Sequence, residues 1–205
     1  MDVSIALLIV LIVAAAIVGR MGIDSFKFPW LTAVACILLA ACLAAQLNGF
    51  FPLSIMERDG SAIQEGQVYR LFTALWFQDG GIAGGAFNIA MLAVLGSLAE
   101  QVPTRPLWLG IYLIGGLLSE IVALAWQPLG AGNSVAYTSI AGALLGLALH
   151  RPSSRSSVII AEVGLAAGLL LCLRRDIHGA AAVIGCALLL LAHVGSDKGK
   201  LRRLI

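Results

Sequence analysis

Leu107-Trp108-Leu109-Gly110-Ile111-Tyr112-Leu113-Ile114-Gly115-Gly116-Leu117-Leu118-Ser119-Glu120-Ile121-Val122-Ala123-Leu124-Ala125-Trp126 holds one charged residue, Glu120, and a tryptophan near each end. A helix that crosses a bilayer needs about 20 mostly apolar residues, and this run supplies them. Its apolar residues are continuous and do not alternate, which excludes a strand of a membrane barrel. Trp108 and Trp126 are expected to anchor the span at the two interfaces, as Trp30 does where the second run opens. Working outward, comparable runs cover residues 3–19, 30–47, 82–99, 138–149, 158–173 and 177–194. The run at 138–149 is short, and its length as a helix depends on how much of residues 130–137 joins it.

The whole composition agrees with these runs. Of 205 residues, 60% are hydrophobic and 12% charged, and the mean hydropathy is +0.98. Soluble domains are near half apolar and a quarter charged. A soluble globular domain, a disordered chain and a nucleic-acid-binding protein are therefore excluded, and an all-α polytopic membrane protein in a lipid bilayer is expected. The net charge of +2 is too small to imply a polyanionic partner. Cys36, Cys42, Cys172 and Cys186 all sit in apolar runs and read as small buried hydrophobes, so neither a disulfide framework nor a metal site is expected. No cofactor is implied.

Basic residues orient the spans. With the N-terminus outside and seven spans, the inner segments hold Arg20, Lys27, Arg105, Arg151, Arg155, Lys198, Lys200, Arg202 and Arg203. The outer ones hold only Arg58, Arg70, Arg174 and Arg175. The first run lacks a basic leader and a clear cleavage site, so it reads as a retained helix. The expected divisions are an N-terminal helix and inner loop (1–29), a helical core (30–195) and a basic cytoplasmic tail (196–205). Compact loops suggest a bacterial inner membrane. Residues 48–81 form the one sizeable non-spanning segment. They are rich in apolar side chains and are expected to lie partly embedded in the outer interface, with Tyr69-Arg70 at the lipid headgroups. Asp79 is expected to accept a hydrogen bond from Arg70 or from backbone. No internal repeat stands out, which argues against an inverted-repeat transporter.

Polar groups at membrane depth are costly and are candidates for function. Glu120 and Glu162 can each approach an interface, Glu100 ends the third span, and His150 and His193 suit helix C-termini. A different pattern joins Asn88, the hydroxyls Ser134, Thr138 and Ser139, and His178, all of which open spans at the outer level. A hydroxyl, an imidazole and an amide at one depth can serve as nucleophile, general base and oxyanion donor.

Four motifs in this order resemble the rhomboid family of intramembrane serine proteases, over residues 66–191. Gly66-Gln67-Val68-Tyr69-Arg70-Leu71-Phe72-Thr73 resembles the family's Gly-x-x-Trp-Arg-Leu-x-Thr. Residues 77–88, from Phe77 through Gly80-Gly81 to Phe87-Asn88, follow Phe-x-His-Gly-Gly-x-x-His-x-x-Phe-Asn without a gap. Gly96 and Glu100 match a Gly-x-x-x-Glu helix end, and His178, Ala181 and Gly185 resemble a His-x-x-Gly-x-x-x-Gly seam. The resemblance implies a six-helix core over spans two to seven with one extra N-terminal helix. It implies a hydroxyl/His dyad that cleaves transmembrane segments of other proteins near the outer leaflet.

The chain also departs from the family. The nucleophile motif Ser-Val-Gly-Ala-Ser-Gly-Ala-x-x-Gly-Leu-Leu-Gly, aligned without a gap from Ser134 to Gly146, sets Thr138 at the serine; a slip of one residue sets Ser139 there. The resemblance thus assigns the site to His178, Ser139, Thr138 and Asn88. Asp79 and Gly84 replace the two loop histidines, one of which helps the asparagine hold the oxyanion. The alternative is a catalytically inactive relative that binds transmembrane helices as clients. Gly142 and Gly146 form a small-residue seam expected to dock on the 181–185 face of the last helix.

Overall fold

A computed structural model describes the backbone of residues 2–102 and 105–201, with side chains through His193. It contains α1 (Val3–Met21), α2 (Trp30–Leu47), α3 (Gly81–Ala99), α4 (Arg105–Trp126), α5 (Ser134–His150), α6 (Arg155–Leu173) and α7 (Ile177–Leu201), with short turns of helix between α2 and α3. Five of these, α1 to α4 and α6, are long and apolar enough to cross a membrane. The other two apolar segments, Ser134–His150 and Ile177–His193, are shorter. The chain is an all-α polytopic membrane protein. The backbone of α7 continues through 196–201, the start of the expected tail, while Arg202 and Arg203 lie outside the described residues.

Several helices begin where side chains satisfy their free N–H groups. Asp2 accepts from Ser4 N at the start of α1, and Ser154 and Ser157 form a reciprocal capping box on α6. Pro29, which precedes α2, offers no side-chain cap. Glu100, at the end of α3, supplies it from another helix, accepting from Leu31 N at 3.1 Å and Thr32 N at 3.0 Å. The helix-end role expected of Glu100 is thus a tertiary cap.

Helix α5 lies at the centre. Every residue from Val135 to Gly146 is buried, and α1, α3, α4, α6 and α7 all pack on it. The expected seam is present. A Cβ on Gly142 would collide with the Ala182 carbonyl oxygen, and one on Gly185 would collide with that of Ser139. Glycine at both positions lets the backbones of α5 and α7 touch. Helix α1 buries Leu11, Ala14, Ala15 and Val18 along one face. It packs on α6, where a Cβ on Gly164 would come 2.9 Å from that of Ala14.

Two expectations are corrected. Trp108 is not an interfacial anchor: it is buried, its indole N–H donates to Gly96 O at 3.1 Å, and its ring stacks on Tyr112 at 5.5 Å. Hydropathy marks the ends of a span but not which face meets another helix. Arg70 is not at the headgroups either. It is buried, and it donates to Gln67 Oε1 at 2.8 Å, Ser54 O at 2.7 Å and Glu57 O at 3.1 Å, stapling the 48–80 segment together. Phe50, Val68 and Tyr69 of that segment are exposed.

A two-residue antiparallel pair, Arg58↔Gly130 and Asp59↔Leu129, joins this segment to the strap between α4 and α5. The strap is held again by Gly132 N donating to Ala74 O at 2.8 Å and by Ala131 N donating to Asp79 Oδ2 at 3.0 Å. Asp79 therefore meets backbone, as one of its expected options, and not Arg70. The helix of the fifth run starts at Ser134, so only the second half of residues 130–137 joins it.

Candidate functional site

At the end of the bundle capped by residues 48–80 lies a cavity of about 510 Å³. Its polar lining includes Asn88 from the first turns of α3, Ser134 from the first turn of α5 and His178 from the first turn of α7. Arg58, Asp79, Glu120, Gln127 and Tyr137 complete it, and Leu8 of α1 closes one side. Two of the four sequence-expected site residues, Asn88 and His178, therefore share one chamber.

Thr138 and Ser139 do not line that chamber. Both are fully buried. The Thr138 hydroxyl donates to Ser134 O at 2.7 Å and the Ser139 hydroxyl to Val135 O at 3.0 Å, each one turn back along its own helix. Ser139 sits where three helices meet: a Cβ on Gly115 of α4 would lie 2.7 Å from its Cβ, and Gly185 of α7 presses on its carbonyl. Of Ser134, Thr138 and Ser139, the one that lines the cavity is Ser134. The ungapped alignment on Leu144-Leu145-Gly146 points to Thr138. The order Gly132-Asn133-Ser134 matches the Gly-Ala-Ser of the motif quoted above, with Val135 where its next glycine stands.

The strap delivers Ser134 through glycines. Gly130 and Gly132 have φ of +150° and +154°, which L side chains rarely adopt. A Cβ on Gly132 would also sit 3.2 Å from Asn88 Nδ2, 3.5 Å from Gln78 Oε1 and 3.7 Å from Ser134 Oγ. A side chain at 132 would thus be strained by the backbone and would crowd the Asn88 amide. Asn133, at the N-cap of α5, makes no side-chain cap. The first amides of α5 thus have no side-chain cap, and Ser134 and Val135 at that helix start line the cavity, where a helix N-terminus suits an anion.

A buried amide relay fixes Asn88. Gln46 of α2 clamps the backbone of Gln78, donating to its carbonyl at 2.8 Å and accepting from its N–H at 3.0 Å. Gln78 is itself fully buried. Its Oε1 accepts from Asn88 Nδ2 at 2.8 Å, and its Nε2 donates to Asn133 Oδ1 at 3.4 Å. Tyr137 OH donates to Asn88 Oδ1 at 3.3 Å. One Nδ2 hydrogen is thus spent on Gln78, which leaves the second to donate to a bound group. Neither Gln46 nor Gln78 stands out in the sequence, because each becomes polar machinery only once α2, α3 and the strap meet.

Glu120 and Arg58 form a buried ion pair in the cavity wall, and Arg58 Nε also donates to Gln127 O at 3.0 Å. The His178 ring is partly buried, and its Nδ1 lies 2.7 Å from Asp176 Oδ1. Burial alone would raise the Asp176 carboxyl, but its hydrogen bonds to His178 and the nearby His178 and Arg174 charges hold it below its ordinary value. Among the described residues there is no cluster of three or more His, Cys, Asp or Glu side chains that could hold a metal. No family model, curated protein or solved structure matches this chain.

Proposed function

We propose that the protein is a rhomboid-like intramembrane serine endopeptidase in which Ser134 is the nucleophile. The observation that carries this reading is one cavity lined by a partly buried serine at a helix N-terminus, a histidine and a fixed asparagine amide. In this reading Ser134 Oγ bonds to the scissile carbonyl carbon while its proton passes to His178 Nε2. The oxyanion is held by Asn88 Nδ2 and the first amides of α5. Collapse of the tetrahedral intermediate breaks the C–N bond, and His178 returns the proton to the leaving amine. Water, deprotonated by the same histidine, then releases the acyl group and restores Ser134.

The core is proposed as spans two to seven of a seven-span chain, with the cavity end outside, the C-terminus in the cytoplasm, and a bacterial inner membrane as its home. Its substrates are transmembrane segments with helix-destabilising residues, because a peptide bond in an intact helix is not accessible to a nucleophile. Treating the purified protein with a fluorophosphonate tests the reading. Labelling is expected in the wild type, lost in Ser134→Ala and His178→Ala, and kept in Thr138→Ala and Ser139→Ala. A wild type that neither labels nor cleaves an unstable transmembrane substrate sinks it. The replacement of both loop histidines by Asp79 and Gly84 favours the second reading in that event: an inactive relative that binds transmembrane helices at the same cavity.

A further inference from the structure

We propose that Asp176 is a positioning residue for His178, holding the imidazole in the Nδ1–H tautomer so that Nε2 carries the lone pair that takes the serine proton. The inference rests on the serine-hydrolase reading of the cavity and adds a third member to the expected hydroxyl/His pair. One carboxylate oxygen, Asp176 Oδ1, accepts from the backbone N–H of His178 at 3.0 Å and lies 2.7 Å from its ring Nδ1. An ionised carboxylate can only accept, so the nitrogen beside it must bear the hydrogen. The other ring nitrogen is then the basic one. Without such a partner, an imidazole in water prefers its proton on Nε2, where it would be useless as a base.

The carboxylate is itself held in place. Helix α6 ends at Leu173, and Arg174, Arg175 and Asp176 turn back on it, with Arg175 at φ 57° and Asp176 N donating to Leu171 O at 3.0 Å. This tight turn sets Asp176 just ahead of α7 and against the histidine in its first turn. Helix capping alone explains the bond to the backbone N–H, and Asn would cap as well as Asp. Capping does not explain the ring contact. The other charged groups lining the cavity with His178 are Asp79, Arg58 and Glu120, and the last two are spent on each other. Arg174 stays near Asp176 but also reaches Ser4 Oγ at 3.0 Å and Asp2 at 3.8 Å.

Nitrogen-15 NMR of histidine-labelled full-length protein in bilayers tests the proposal. The chain has three histidines, and His178→Asn identifies the signal of interest by subtraction. The wild type is expected to show neutral His178 protonated at Nδ1, and Asp176→Ala to show it protonated at Nε2. Asp176→Ala is expected to label with fluorophosphonate about 100- to 10,000-fold more slowly, the range of a positioned base, and Asp176→Asn, whose amide oxygen can still accept from both the backbone N–H and Nδ1, to label faster than Asp176→Ala. A wild type protonated at Nε2, or one tautomer shared by wild type and Asp176→Ala, overturns the proposal. Wild-type labelling rates in a variant whose tautomer has switched overturn it as well. A switched tautomer in a protein that never labels upholds the positioning and discards the hydrolase reading, so the two fail separately.

Discussion

At the level of single residues, what sets Ser134 apart from both Thr138 and Ser139 is where each falls on α5. The two later hydroxyls are beyond the first turn, where neighbouring helices cover them and the nearest acceptor is a carbonyl one turn back. Ser134 is in the first turn, beside a strap that only glycine can follow at 130 and 132. Asn88 is the best-supported donor, because Gln78 and Tyr137 hold both ends of its amide. Asn88→Ala is expected to slow fluorophosphonate labelling about 100- to 1000-fold, the usual effect of losing one oxyanion donor, with no change in detergent solubility. Labelling within a few-fold of wild type would remove Asn88 from the oxyanion role. The sequence spacing singled out Asn88 and His178, which line one cavity, together with Thr138 and Ser139, which do not, because spacing along a chain does not report which side of a helix meets a void.

At the level of elements, α5 and α7 are joined backbone to backbone through Gly142 and Gly185. Van der Waals packing drives helix association in lipid, where apolar side chains gain nothing by leaving hydrocarbon. Gly142→Ala must push α7 away from α5, and is expected to destabilise the fold by roughly 1–3 kcal/mol or more. Reversible unfolding in mixed micelles, followed by tryptophan fluorescence, measures this. An unchanged midpoint would mean that the two helices are not in contact. The seam was legible in the sequence because small residues at helical spacing have few other uses inside a membrane. The burial of Trp108 was not legible, since an apolar ring is equally at home against lipid and against Gly96.

At the level of the whole molecule, the segment at 48–80 is tied to the bundle by buried charge. Arg58 reaches Glu120 of α4 and the Gln127 carbonyl, while its own backbone pairs with the strap at Gly130. One ion pair thus connects the loop, α4 and the approach to Ser134. Glu120→Ala leaves a buried guanidinium without its counterion and is expected to cost about 3–5 kcal/mol, seen as a lower unfolding midpoint together with slower labelling. Equal stability would show that the cap does not depend on the pair. What the sequence determined by itself was an all-helical membrane protein, the place of its long apolar runs, and the polar residues worth suspecting. Length and hydropathy suffice for that, because lipid excludes nearly every other way to satisfy a backbone. Only the tertiary structure decided which hydroxyl shares a chamber with Asn88 and His178, that Gln46 and Gln78 orient the amide, and that Asp176 meets the imidazole. Those facts depend on which faces of separate helices turn toward one cavity, and that choice is made by packing between segments far apart in the chain.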